Sequence, residues 1–154
     1  MGVTLRYCSE NDIGELFIMV RECFYVDYGV KVNTAESFRK YLMEAQVNDF
    51  HDFFVVCNDA EVVGCVFSFL FNADSRCIAL KIYLNQKSDA WRHEVIRLCA
   101  DFFSAKYSVR RIFLFSDDDC ESELCRKIAT FPEVHFKKGK LVDSFCYELI
   151  FSHD

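Results

Sequence analysis

The chain has 154 residues and a formal net charge of −6, from 18 basic and 24 acidic side chains. Hydrophobic residues make up 52%, with 17 Phe, 7 Tyr and one Pro. This composition excludes a disordered chain, sets the protein apart from generic basic nucleic-acid binders, and suits a single domain over 1–154 with a core of its own.

The longest apolar stretches are strand-length and interrupted by Cys, Gly or Ser, so no membrane-spanning helix is expected. The opening Met-Gly-Val-Thr-Leu-Arg has no basic segment followed by a long apolar one, so no secretory signal is expected. The nine Cys are odd in number and lack C-x-x-C spacing. Cys57, Cys65, Cys77, Cys99 and Cys146 sit in apolar runs and read as reduced thiols of a cytoplasmic protein. Metal is not expected: Cys120 and Cys125 are isolated and the four His are scattered. Arg110-Arg111 and Lys137-Lys138-Gly139-Lys140 read as solvated strand ends.

Val3–Tyr7 reads as a first strand. Ser9 is a plausible cap, and Ile13, Leu16, Phe17, Val20, Cys23 and Phe24 make one helical face. Tyr25–Asn33 reads as a loop. Thr34 starts a second helix, with Phe38, Tyr41, Leu42 and Ala45 on one side. Phe53–Cys57, Val62–Phe71 and Cys77–Leu84 read as an antiparallel meander. In the last of these, Ile78, Leu80, Ile82 and Leu84 share one face and Ala79, Lys81 and Tyr83 the other. Lys81 is odd on so apolar a strand; it snorkels to the sheet rim or faces a cleft and favours an anionic ligand.

The polar loop Asn85–Ala90 follows, then an amphipathic helix over Trp91–Tyr107 with Val95, Ile96, Cys99, Phe102 and Phe103 inward. A strand–loop–helix joint of this kind suits phosphate, because unpaired N–H groups and the positive end of the helix face the loop. This loop, however, has no glycine. Arg110–Phe115 reads as a strand and Asp119–Thr130 as a helix, limited by Pro132. Asp117-Asp118-Asp119-Cys120-Glu121 reads as the start of that helix rather than a metal site. Glu133–Lys138 and Leu141–Phe151 read as a final hairpin. The expected order is βααβββαβαββ: an α/β (α+β) fold with a mixed, mostly antiparallel twisted sheet of about seven strands and about four helices, with a parallel pair around the Trp91 helix.

This order resembles the GNAT superfamily of acyl-CoA-dependent N-acetyltransferases over nearly the whole chain. In that family the loop after the fourth strand carries [Gln/Arg]-x-x-Gly-x-[Gly/Ala] and binds the pyrophosphate of acetyl-CoA. Aligned on Val95-Ile96 and Phe102, Lys87-Ser88-Asp89-Ala90-Trp91-Arg92 takes its place, with Lys87 in the Gln/Arg slot and Ala90 and Arg92 in the two small-residue slots. Arg92 crowds the diphosphate or turns outward to pair with it. The resemblance implies that Ile82, Tyr83 and Leu84 present backbone groups to the pantetheine arm. It places Cys125 in the slot of a Tyr that protonates the leaving thiolate, with Tyr83 as the other candidate acid, and Asp118 near the slot of an Asn. Cys125 also reads as a small packed residue. The strand bearing Lys81 has no carboxylate to act as a base. Tyr25, Asp27 and Tyr28 fall in the loop that walls the acceptor site in that family, and suit an amine-bearing acceptor or simple packing.

Two functions follow as expectations. One is acyl transfer from acyl-CoA to a small-molecule or protein amine by direct attack, with no metal. The other is a non-catalytic module on the same scaffold that binds a protein partner or a carrier-bound acyl group. An exposed edge on the long final strand Leu141–Phe151 would want a partner and would also allow a homodimer.

Overall fold

A computed structural model describes residues 2–28, 32–48, 52–85 and 91–151, with the backbone alone described at 22–28 and 45–48. The chain runs β1 (Val3–Tyr7), α1 (Ile13–Tyr28), α2 (Ala35–Asn48), β2 (Asp52–Asn58), β3 (Glu61–Asn72), β4 (Cys77–Leu84), α3 (Arg92–Tyr107), β5 (Arg111–Ser116), β6 (Cys125–Lys137) and β7 (Lys140–Leu149), with a 3-10 turn at Glu10–Asp12. One sheet takes all seven strands in the order β1-β2-β3-β4-β5-β7-β6. Every neighbouring pair is antiparallel except β4 and β5. The α3 crossover between β4 and β5 makes that pair parallel, as a strand–helix–strand unit must.

Alternation along the strands divides the core between the two sheet faces. Phe54, Val56, Ile78, Leu80, Ile112 and Leu114 pack with Val95, Ile96, Cys99 and Phe103 of α3. Phe53, Val55, Cys65, Phe67 and Tyr83 face the other way, onto Leu16 and Val20 of α1 and Phe38 and Leu42 of α2. Phe54 meets Phe102 and Phe103 edge-on, with ring centroids 5.0 and 5.3 Å apart. Each such fully buried side chain contributes about 1.5–3 kcal/mol.

The helix termini follow from local chemistry. Thr34 and Ser37 cap α2 reciprocally: Ser37 N–H donates to Thr34 Oγ1 at 3.0 Å and Ser37 Oγ donates to the Thr34 carbonyl at 2.9 Å. At the start of α1, the Asp12 carboxylate accepts from the Ser9 N–H at 2.7 Å and from both Arg6 terminal nitrogens at 2.8 Å. α3 ends at Ser108 in the left-handed region, and Arg76 donates to the Ser108 carbonyl at 2.8 and 2.9 Å. Among the described residues no helix is long and apolar enough to cross a membrane, and no cluster of His, Cys, Asp or Glu is placed to hold a metal ion. The eight described cysteines are free thiols.

Four expectations are corrected. First, α1 continues to Tyr28, so Tyr25, Asp27 and Tyr28 lie on a helix and not in a loop. Second, the expected helix over Asp119–Thr130 is absent: an irregular segment follows β5, and β6 begins at Cys125. The helical spacing of Leu124 with Ile128 and of Cys125 with Ala129 loses to pairing with β7, from Cys125 opposite Leu149 to Thr130 opposite Phe145. Third, the aspartates at 117–119 therefore start no helix. Tyr147 holds their loop instead: its buried hydroxyl accepts from the Cys120 N–H at 2.9 Å and lies 3.2 Å from the Asp118 carbonyl.

Fourth, β7 is not an edge; it lies between β5 and β6. The edge on that side is β6, where Pro132 is tolerated at a bulge between Phe131 and His135. The hairpin turn is at Lys138 and Gly139, with φ of 49° and 77°, a pairing that matches the twist of two antiparallel strands.

Candidate active site

The site begins where the β4–β5 ladder ends. Their register runs from Cys77 opposite Arg111 to Lys81 opposite Phe115. Past Lys81, β4 continues to Leu84 beside β3, while Ser116 of β5 is paired with Phe145 of β7. The two parallel strands therefore part, and Ile82–Leu84 form one wall of an opening. Gly64 of β3 lets that wall lie close: a Cβ there would fall 2.3 Å from the Tyr83 carbonyl oxygen and 2.6 Å from Leu84 Cδ2. No other residue type fits without moving the backbone of β4.

The cleft is lined by Lys81, Ile82, Tyr83, Leu84, Arg92, Ser116, Asp117, Asp118, Lys137 and Met19 of α1. The structure thus gathers six residues singled out in the sequence: Lys81, Ile82, Tyr83, Leu84, Arg92 and Asp118. The strand alternation divides them as expected, with Ile82 on the α3 side and Tyr83 on the α1–α2 side. Tyr83 is 9% exposed and stands edge-on to Phe67 at 5.5 Å. Lys81 is 7% exposed and reaches the cleft instead of the solvated rim.

Arg92, in the first turn of α3, directs its guanidinium to the Asp118 carboxylate at 3.6 Å. Trp91 immediately precedes α3 and packs on the core beneath it. Lys87, Ser88, Asp89 and Ala90 lie outside the described residues, as do the side chains of Tyr25, Asp27 and Tyr28.

Cys125 is not brought to this cleft. It is 0% exposed in the core, opposite Leu149, and burial pushes its thiol up to about 11. The place that the resemblance assigns to it, on a helix after the fifth strand, does not exist among the described residues.

Sequence reasoning passed over Met19 and Ser116 of the lining and, of more chemical weight, Asp117 and Lys137 with the adjoining His135. Residues 140–144 of β7 and the paired end of β6 overhang β5, because Ser116, its last residue, is matched to Phe145. The end of β6 therefore stands beside the loop that leaves β5. Asp117 Oδ1 is 3.0 Å from His135 Nδ1, and Asp117 Oδ2 pairs with Lys137 Nζ. Burial alone would raise the Asp117 carboxyl, but Lys137, Lys81 and His135 outweigh it and hold it below the usual carboxylate range. The alternation of His135 with Lys137 on one strand face is the signal that could have found them. A second hollow under α3, lined by Ile96, Ala100, Leu124, Ile150 and Phe151, is apolar apart from Arg97 and Asp101.

No family model and no curated protein matches this sequence. Solved structures do match its fold. Spermidine N-acetyltransferase from Vibrio cholerae in complex with CoA and spermine superposes with a TM-score of 0.76 at 14% identity, over 96% of this chain and 94% of that one. A chimera of the same enzyme with hSSAT gives 0.77 at 14% identity, over 97% and 96%. A dodecameric form of the V. cholerae enzyme gives 0.76 at 13% identity, over 96% and 93%. With its element order, its single parallel pair and its opening at the end of β4, the chain has the fold of the GNAT acyltransferases.

Proposed function

We propose that the protein is an N-acyltransferase that moves an acyl group from acyl-CoA to an amine by direct attack. The observation that carries this reading is the parting of β4 and β5 after Lys81, which opens the Ile82–Leu84 wall beside the first turn of α3. The residues present fit an acyl-CoA in part. The Arg92 guanidinium at the start of α3 is suited to a diphosphate, and Asp118 is the group it would exchange for one. Lys87, Ser88, Asp89, Ala90 and Trp91 complete that end of the site in this reading.

Acyl-CoA supplies the activated thioester. The chain's own residues handle protons. His135, whose Nδ1 lies 3.0 Å from Asp117 Oδ1 beside the cleft, is the candidate to take the proton that the attacking amine must lose. Tyr83 is the proton donor to the departing sulfur, because Tyr83 lines the cleft and Cys125 does not.

A second reading, a non-catalytic binding module, is favoured by Arg92 itself. The resemblance puts it in a small-residue slot, and its guanidinium is paired with Asp118 within the protein.

Isothermal titration with acetyl-CoA and CoA, with thiol release followed across an amine panel, separates the two. The first reading requires saturable heat, and turnover that falls about 10²–10⁴-fold in His135→Gln with a changed pH profile. No heat and no thermal shift at millimolar acetyl-CoA leaves only the second.

A further inference from the structure

The geometry points to a second copy of this chain as a partner: an exposed aromatic knob on the β6–β7 arm of one copy seats in the hollow under α3 of the other. This inference is independent of the acyltransferase reading.

The knob comes from the overhang of the arm. Phe136 of β6 stands opposite Leu141 of β7. Both lie beyond the point where β5 stops pairing, at Ser116 opposite Phe145. Phe136 is accordingly 65% exposed and Leu141 56%. The two form a cross-strand apolar pair at the end of a two-stranded ribbon.

The hollow is lined by Ile96, Ala100, Leu124, Ile150 and Phe151 and has a volume of 170 Å³. A cavity of about 150 Å³ lined by Leu, Ile and Phe takes up benzene. This hollow is therefore the right size for one phenyl ring. The arm cannot fill the hollow of its own chain. Leu141 and Leu149, next to Ile150, sit near opposite ends of β7, roughly 26 Å apart at the usual rise of a strand. Alternation nevertheless keeps the two on one side of the sheet, the side on which Tyr147 and Leu149 pack with α3. A two-fold axis across the middle of β7 then brings each knob over the other copy's hollow, and the contact closes on itself.

Charge agrees with this pairing. Lys138 and Lys140 are exposed at the tip of the arm, beside Phe136 and Leu141. The surroundings of the hollow are mainly acidic: Asp101 is in its lining, and the exposed Glu121 and Glu123 lie just before Leu124. Glu123 also reaches His93 of α3, at 3.7 Å. The cation of the lining is Arg97, and the arm carries Asp143 two residues from Leu141 on the same strand face. Opposite charges therefore meet in the contact, which favours this register over arm against arm, where lysines would face lysines. The other face of the arm carries His135 and Lys137, so seating Phe136 also fixes the back of the cleft.

Sedimentation equilibrium of the full chain tests the proposal. The expected result is a particle of twice the mass of one chain, with a dissociation constant that rises with salt. Phe136→Ser spoils the knob and Ile150→Lys spoils the hollow. Each should raise the dissociation constant about tenfold or more. Both positions are exposed, so melting temperatures should stay near that of the parent. Mixing the two variants should restore pairing, because the mixed dimer keeps one intact knob facing one intact hollow. A chain that stays monomeric at high micromolar concentration overturns the inference, as does a dimer indifferent to either variant. A dimer lost in Phe136→Ser but not restored by mixing also overturns it, since that is the behaviour of arm against arm. Should Ile150→Lys fail to fold, Asp101→Lys at the rim takes its place in the same mixing experiment.

Discussion

Gly64→Ala tests how the sheet sets the shape of the cleft. Gly64 faces Leu84 across the β3–β4 ladder, and the added Cβ would lie 2.3 Å from the Tyr83 carbonyl oxygen. Ordinary contact begins near 3.4 Å, so the β4 end must retreat by the difference, roughly 1.1 Å. The nearest obstacle is backbone, which a rotamer change cannot relieve. Overpacking of this kind costs about 1–3 kcal/mol, and the loss of glycine's unfolded-state freedom returns only about 0.4–1 kcal/mol. For a chain of this size each kcal/mol lowers Tm by about 2–4 °C. Calorimetry should therefore find Gly64→Ala less stable than the parent by a few degrees. Because the residues that move are Tyr83 and Leu84, affinity for acetyl-CoA should fall as well, by about tenfold. A variant that melts with the parent and binds acetyl-CoA equally would refute the close approach of β3 to the cleft wall.

Three further outcomes are expected. Arg6 and Ser9 hold the buried Asp12 carboxyl down at about 2, against an ordinary value of 3.8. That contribution, about 2 kcal/mol from the shift, is complete above roughly pH 4 and is lost as pH falls toward 2. Urea midpoints between pH 5 and pH 2 should drop less steeply in Asp12→Asn, and parallel profiles would contradict it. Tyr147→Phe removes the hydroxyl that takes the Cys120 N–H, so denaturant titration should show about 1–2 kcal/mol of lost stability; no loss would mean that the 117–120 loop is held otherwise. Arg92→Ala should weaken acetyl-CoA binding about tenfold and flatten its salt dependence, whereas tighter binding would identify Arg92 as an obstruction in the cradle.

The sequence carried the front of the site and lost its back. β4 was legible because both of its faces are apolar enough to mark a central strand while alternation still divides Lys81 and Tyr83 from Ile78, Leu80 and Ile82. The α3 face was legible from helical spacing, and the parallel pair followed from having a helix between two strands. The stretch from 117 to 130 was not, although the hairpin beyond it, from Glu133, was. Locally, Leu124, Cys125, Ile128 and Ala129 satisfy a helical period as well as they satisfy strand pairing. What decides between them is β7, more than ten residues away, through its ladder to β6 and the Tyr147 hydroxyl under the preceding loop. With the first part of β6 read as a helix, His135 and Lys137 had no route to Asp117. Their meeting depends on how far the β6–β7 hairpin overhangs the end of β5, and that is a matter of register between distant segments. The same misreading gave Cys125 a place on a helix, whereas the sheet pairs it with Leu149.

Amide hydrogen exchange with and without saturating acetyl-CoA tests the central claim most directly. If the coenzyme lies in the opening between β4 and β5, the amides of Ile82, Tyr83 and Leu84 and of the first turn of α3 should gain protection, with β1 and β2 unchanged. Unaltered exchange at Ile82–Leu84 under saturating ligand would contradict the account.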